Sequence, residues 1–287
     1  MDKIRIISNS YNKAIEEGFN RYLDEKAAGG KSEIKIDEEA LIADIEQKWL
    51  ATGLPELDET TPAEFINSLT SLDELMDFFV CMASVSDVGV PGILIERFKL
   101  YGGKAASARL LDFAERSLST GVKDNDDIKS AVSQAVYTIG CLKEDEYKQK
   151  LIALLIETDY DDMLLEAICY AIIVYGVSIL QEVIDAFNTT DKQTVKEAFV
   201  VCVAEICSEN GYKSDEVFYF YKNAFRTISN LKLIVEIIGD YGDGRAIPFL
   251  RGYVHKNIDK IDITTFNLMR AIIKKLGGEI EDLAYIE

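Results

Sequence analysis

The sequence is poor in the residues that build catalytic and metal centres. It has a single histidine, His255, and no two of its cysteines form a Cys-x-x-Cys pair. A histidine-based metal site or a Ser-His-Asp triad therefore has almost nothing to draw on, and we predict no catalytic residue, no cofactor site and no metal ligand. The cysteines are an odd number in apolar, helix-like segments, which predicts free thiols in a reducing compartment. They are Cys81, Cys141, Cys169, Cys202 and Cys207.

Proline and long apolar runs are also scarce. Only 4 of the 287 residues are proline, which suits long helices. The longest uncharged apolar run, "AICYAIIVYGVSIL" at residues 167–180, is shorter than the roughly 18 residues that a membrane helix needs. The N-terminal residues lack the apolar core of a signal peptide. The sequence thus predicts a soluble, cytoplasmic protein with no membrane partner.

Basic charge is missing from a long stretch of the chain. The formal net charge is −19, and residues 151 to 191 contain no Lys, Arg or His. Such a surface repels phosphate backbones, which argues against nucleic acid as a partner and favours a basic protein or peptide. In "ETDYDDMLLE" we expect a solvated loop with Asp161 or Asp162 at a helix start, and these two acids together with Asp159 are candidate partner contacts.

What the chain does contain is a repeat. Five apolar, helix-like segments end at Gly140, Gly176, Cys207, Gly242 and Gly278, which are 36, 31, 35 and 36 residues apart. A turn and a second amphipathic helix follow each of the first four, and strand-like alternation is absent. Because a pair of helices cannot bury its apolar face alone, such pairs stack on one another. We therefore predict an all-α, right-handed α-α superhelix over residues 61–287, with a helical cap at residues 1–60.

Local signals place the helix starts near the N-terminus. Asn9 or Ser10 is expected to cap the first helix, and Gly29 with Gly30 to end it. Asp37 is the expected cap of the second helix. Two capping boxes follow downstream, in which a hydroxyl residue is paired with a glutamate three residues later. They are Thr61 with Glu64, beside Pro62 at the first helical position, and Ser71 with Glu74.

The stretch "EIIGDYGDGRAIPFLRGYV", residues 236–254, is rich in glycine but lacks both GxxxxGK[ST] and GxGxxG. A corner between two helices accounts for it better. In that corner Asp243 caps the second helix, and Arg245 pairs with Asp240, with Asp243 or with a neighbouring turn. The stretch resembles a HEAT-type repeat, in the short form also seen in phycobilisome-lyase-like proteins. The resemblance implies a helical repeat fold and does not fix a function.

Two further segments are rich in aromatic residues. In "VFYFYKNAF", residues 217–225, the spacing places Phe218, Tyr221 and Phe225 on one buried helix face. Tyr219 and Phe220 point away from the centre of that face, so one of them is expected at the surface as a candidate partner contact. Trp49 is expected to dock the N-terminal cap onto the first repeat.

The favoured function is a non-catalytic scaffold that binds a protein or peptide through the repeat surface. The alternative is an enzyme on a HEAT-like scaffold, either a DNA-alkylation glycosylase or a bilin lyase. The glycosylase would need a basic groove with aromatic platforms, against which the acidic balance argues. The lyase would need a reactive site for a tetrapyrrole, and neither Cys202 nor Cys207 is expected to be exposed.

Overall fold

The computed structural model describes residues 3–28, 37–86, 88–120, 125–157 and 162–285. These residues form fifteen α-helices and no strand, apart from one isolated bridge between Leu54 and Thr60. The prediction of an all-α protein is confirmed. The helices are α1 (Lys3–Ala28), α2 (Glu38–Ala51), α3 (Pro62–Ser68), α4 (Leu72–Val85), α5 (Gly92–Leu100), α6 (Gly103–Ser119), α7 (Asp126–Leu142), α8 (Lys148–Glu157), α9 (Asp162–Ile173), α10 (Leu180–Phe187), α11 (Gln193–Glu209), α12 (Asp215–Thr227), α13 (Leu231–Tyr241), α14 (Ile247–Asn257) and α15 (Ile263–Lys275).

The helices belong to two units. Unit 1 comprises Met1–Tyr147 and Asp161–Ala167, and unit 2 comprises Lys148–Tyr160 and Ile168–Glu287. No single helix in the described ranges has both the length and the apolar character needed to cross a membrane. The segments Asp162–Ile173 and Gly176–Phe187 meet both criteria only when taken together, and the chain bends by 105° between them.

Most of the predicted helix starts lie where the sequence places them. The Asp37 side chain accepts a hydrogen bond from the Ala40 amide and caps α2. Both capping boxes are formed, at the start of α3 and at the start of α4. The hydrogen bonds of its box lower the pKa of Glu64, with the Thr61 backbone amide as the largest cause. These starts could be predicted because a cap needs only the three or four residues around it.

The start of α1 differs from the prediction. The helix begins at Lys3, so Asn9 and Ser10 lie inside it, and the Ser10 hydroxyl donates to the Ile7 carbonyl. The buried residues Ile7, Tyr11 and Ile15 recur every four positions, and the apolar stripe therefore continues upstream of the expected cap. The expected end of this helix at residues 29–30 lies outside the described residues.

In unit 1, α1 contacts both α2 and α4. Its Asn12 side chain donates to the Val85 carbonyl at the end of α4. The Tyr11 hydroxyl donates to Glu46 of α2 over 2.7 Å, and the Gly92 amide at the start of α5 donates to the same carboxylate. Buried side chains and one shared carboxylate therefore connect the first two helices to the helices that follow.

In unit 2, helices two positions apart in the chain are in contact. The odd-numbered helix α13 packs against both α11 and α15, and the even-numbered α8 packs against α10. Edge-to-face contacts of aromatic rings also join the even-numbered helices α10, α12 and α14. Phe187 of α10 meets Phe220 of α12 at 5.0 Å between ring centroids, and Phe225 of α12 meets Tyr253 of α14 at 5.1 Å.

Polar contacts in unit 2 repeat at a similar interval along the chain. Several side-chain hydrogen bonds among the described residues join positions that lie 30 to 36 residues apart, and four of them illustrate the pattern. This interval matches the spacing of the five apolar segments in the sequence. The pairs are Asn223 with Asn188, the Ser229 amide with Gln193, Arg245 with Asp215, and Lys275 with Asp240.

The glycine-rich stretch is a helix corner, as predicted. Gly242 ends α13 in the left-handed conformation with φ of 73°, and the Asp243 side chain accepts from the Arg245 amide. Arg245 also donates to Asp243 and to Asp215, and its guanidinium carbon lies 4.2 Å from the centre of the Phe218 ring. The hydrogen bonds from Arg245 lower the pKa of Asp243. Arg245 thus joins the corner to the first turn of α12.

Replacing Gly242 by alanine is expected to lower the free energy of unfolding by about 1–2 kcal/mol, because an L side chain is disfavoured at positive φ. Gly244→Ala is the matched control, since Gly244 lacks a positive φ and an added Cβ would stand 3.6 Å from the nearest atom at either position. Urea titration followed by circular dichroism measures both. Equal losses of unfolding free energy in the two variants would show that the positive φ at Gly242 does not cause the destabilisation.

Candidate functional site

Helix α12 carries the two aromatic residues that were predicted as partner contacts, Tyr219 and Phe220. Ser214 caps the helix by accepting from the Val217 amide, and Asp215 and Glu216 follow in its first turn, where carboxylates interact favourably with the helix dipole. Phe218, Tyr221 and Phe225 are all buried, as their spacing predicted. One face of α12 is thus fixed in the core, which determines what the other face presents.

Of Tyr219 and Phe220, one of which was expected at the surface, Tyr219 is the exposed residue. Its side chain is 60% exposed, and its ring meets the buried Phe218 ring edge to face at 5.5 Å. Phe220, in contrast, is only 4% exposed and packs against Phe187 of α10. The prediction that one of the two residues lies at the surface is confirmed, and Phe220 is withdrawn as a candidate contact. Because both α10 and α14 flank α12, its buried face is wider than a single apolar stripe.

We call the exposed face around Tyr219 the α12 surface. One helical turn before Tyr219 lie the exposed acids Asp215 and Glu216, and one turn after it lies Asn223. Asp215 is paired with Arg245 over 2.7 Å, and Asn223 donates to Asn188. These bonds fix the surroundings of Tyr219, whereas the Glu216 carboxylate is exposed to solvent. The α12 surface is therefore an exposed tyrosine in ordered surroundings, with the Glu216 carboxylate, unpaired among the described residues, one turn before it and Lys222 one turn after it.

The acidic candidates lie elsewhere. Asp159 and Asp161 are outside the described residues. Asp162 is exposed and begins α9, so it is the helix-start acid that the sequence predicted. It belongs to unit 1, in which 31 Asp and Glu stand against 16 Lys and Arg, whereas unit 2 has 19 and 15. Most of the excess negative charge therefore belongs to unit 1.

The two cysteines that a lyase-like function would use as reactive groups are buried. Cys202 is fully buried, and its hydrogen bond with Cys169 together with burial raises the pKa of its thiol well above the usual range. Burial raises the pKa of the Cys207 thiol to about 11. Since the thiolate is the reactive form, both thiols are poor nucleophiles at neutral pH in this arrangement.

A groove of about 790 Å³ lies between α1 and α2 in unit 1. Its floor includes Ile45 and Trp49, and the two helices approach so closely at Gly18 that an added Cβ would overlap the Ile45 side chain. Lys13 with Glu17, and Asp44 with Lys48, form ion pairs along its rims. Because acidic and basic side chains alternate along the groove, its lining does not favour a ligand of one charge sign.

Trp49 holds this pair of helices together. Its ring packs on Tyr11 with 4.9 Å between centroids, and its indole N–H donates to the Ser10 hydroxyl over 2.9 Å. Both partners lie in α1, within the predicted cap. These contacts join α2 to α1, whereas docking of the predicted cap onto the first repeat through Trp49 stays a prediction.

Within the described ranges, no three His, Cys, Asp or Glu side chains are placed to hold a metal ion. Comparison with models of protein families, with curated proteins and with solved structures finds no match to this chain.

Proposed function

We propose that this protein is a non-catalytic scaffold that binds a protein or peptide through the α12 surface. The observation that carries the proposal is Tyr219, 60% exposed yet supported by the buried Phe218 ring. An exposed tyrosine with few rotatable bonds offers a large contact area at a low cost in conformational entropy. Asn223 and Asp215 beside it are held by hydrogen bonds, so a partner would meet a surface that is already ordered.

The proposed scaffold is a stack of HEAT-type helix pairs that follow a right-handed superhelical path. Support comes from unit 2, where alternate helices contact one another and polar contacts recur at 30 to 36 residues. In a repeat stack each pair contacts only its neighbours, which produces contacts at the repeat interval. Such stacks present a row of second helices as an extended binding face, and α12 is one of the second helices.

The proposed partner is a protein or peptide segment with basic side chains. Glu216 supplies negative charge at the α12 surface, and the net charge of −19 supplies attraction at longer range. Charge complementarity of this kind chiefly raises the association rate and is screened by salt. Tyr219 would provide the apolar anchor, with the carboxylates steering the partner towards it.

Tyr219→Ala is expected to weaken capture of the partner at least about tenfold, as for a tyrosine at the centre of an interface. The tagged full chain is used to co-purify proteins from native lysate at low salt, and partners are quantified by mass spectrometry. Leu100→Ala is the control, because Leu100 is 76% exposed, more than any other large hydrophobic side chain in the described ranges, and lies in unit 1. Partners retained equally by Tyr219→Ala and the native chain would contradict the proposal, as would capture that high salt leaves unchanged.

A further inference from the structure

A second feature of unit 2 is a cleft of about 330 Å³ between the C-terminal half of α11 and α13. Three tyrosines and three charged residues line it, and we call it the tyrosine cleft. These residues are Tyr212, Tyr221, Tyr241, Glu205, Lys213 and Asp240. Tyrosine rings combined with carboxylates are the groups that recognise organic cations.

The aromatic walls of the cleft are fixed. Tyr221 and Tyr241 meet edge to face at 5.1 Å between ring centroids. The Tyr241 hydroxyl accepts from the Ser214 amide over 2.9 Å and donates to the Ser214 carbonyl over 3.0 Å. Burial raises the pKa of Tyr221, so its hydroxyl stays neutral. The ring faces are therefore set in place before any ligand arrives.

A cation of the chain itself already uses one of these faces. The Lys213 ammonium lies 5.5 Å from the centre of the Tyr241 ring. Lys213 is exposed, and no salt bridge to a carboxylate holds it among the described residues. Its ammonium thus marks a position that suits an alkylammonium group, and its flexible stem can leave that position without breaking an ion pair.

Carboxylates stand beside this position. Asp240, which lines the cleft, is already paired with the Lys275 ammonium over 2.7 Å. Glu205 lines the same cleft from α11, is exposed, and has no ion-pair partner in the part of the chain that the structure describes. It is therefore the carboxylate left to pair with an incoming cation.

We propose that the tyrosine cleft binds an alkylammonium group, which displaces Lys213 from the face of Tyr241 and pairs with Glu205. The group could be the side chain of a lysine in a peptide or a free amine, since both present the same ammonium. The proposal rests on residues of α11, α13 and the connecting residues 210–214, with Tyr221 of α12 as the second ring wall. It does not depend on Tyr219 or on the proposed function of the α12 surface.

The test is a titration of the full chain, with its tyrosine rings isotopically labelled, monitored by nuclear magnetic resonance. N-acetyl-lysine methylamide and butylammonium are the probes, and N-acetyl-norleucine methylamide is the uncharged control. We expect saturable shifts of the Tyr221 and Tyr241 ring signals with the lysine derivative and none with norleucine. Binding of butylammonium as well would identify the ammonium alone as the ligand, whereas binding of the lysine derivative only would identify a peptide source. Shifts produced equally by norleucine would overturn the proposal.

Paired variants separate the cleft from the general acidity of the protein. Glu205→Gln is expected to weaken binding of the lysine derivative at least about threefold. Glu209→Gln, one turn further along α11 and outside the cleft, should leave the affinity unchanged. Lys213→Met should tighten binding by a similar factor, while Lys256→Met should not. Equal effects within either pair would mean that net charge alone is sensed, which would refute the proposal.

Both target residues are exposed, and retained helix content by circular dichroism confirms that the variants fold. Tyr219→Ala is included in the same titration and is expected to bind the probes like the native chain. A loss of probe binding in that variant would contradict the independence of the two surfaces. Failure of the cleft titration with intact capture through Tyr219 would leave the proposed function standing.

Discussion

Replacing Trp49 by alanine is expected to lower the free energy of unfolding by about 3–5 kcal/mol, the usual range for removing a buried aromatic side chain. Trp49 is only 4% exposed, and it packs on Tyr11 and donates to Ser10. The alanine variant loses both contacts and leaves a cavity between α1 and α2. Because Trp49 is the only tryptophan, urea unfolding is followed by far-ultraviolet circular dichroism and not by tryptophan fluorescence.

Trp49→Phe is the matched control. It keeps an aromatic ring against Tyr11 and removes the indole N–H. The Ser10 hydroxyl still donates to the Ile7 carbonyl, so no buried hydroxyl is left without a partner, and a smaller loss of about 1 kcal/mol is expected. If Trp49→Ala cost less than Trp49→Phe, the packing of α2 on α1 would not depend on this residue.

The sequence was sufficient wherever structure depends on near neighbours. The caps at Asp37, Thr61 and Ser71 and the corner at Gly242 each involve a few consecutive residues, and all four were predicted correctly. The start of α1 was missed because two polar residues with capping ability, Asn9 and Ser10, lie within an apolar stripe that continues upstream. In that conflict tertiary packing of the stripe decides the helix start.

The candidate site could be predicted only in part, because exposure depends on which helices become neighbours. The pattern of α12 left Tyr219 and Phe220 undecided, and Phe220 is buried against Phe187 of α10, which no local pattern connects with it. The tyrosine cleft was missed altogether. Its walls come from α11, α12 and α13, and no local motif connects Tyr221 with Tyr241 before the helices are packed.

Phe220→Ala is expected to lower the free energy of unfolding by about 3–5 kcal/mol, because Phe220 is 4% exposed and packs edge to face on Phe187. Its neighbour Tyr219 is 60% exposed, so Tyr219→Ala should change the stability by no more than about 0.5 kcal/mol. The two variants remove adjacent aromatic rings from the same helix and differ mainly in burial. Urea titration followed by circular dichroism measures both under identical conditions.

The comparison also decides whether Tyr219 is free to bind a partner. A side chain that can be removed without loss of stability is not needed for folding and is available to contact a partner. The scaffold proposal requires this of Tyr219. A loss of several kcal/mol in Tyr219→Ala would make the ring part of the core, and weaker partner capture by that variant would then reflect unfolding. With Tyr219→Ala as stable as the native chain and Phe220→Ala strongly destabilised, any loss of capture in the former is a loss of contact at the α12 surface.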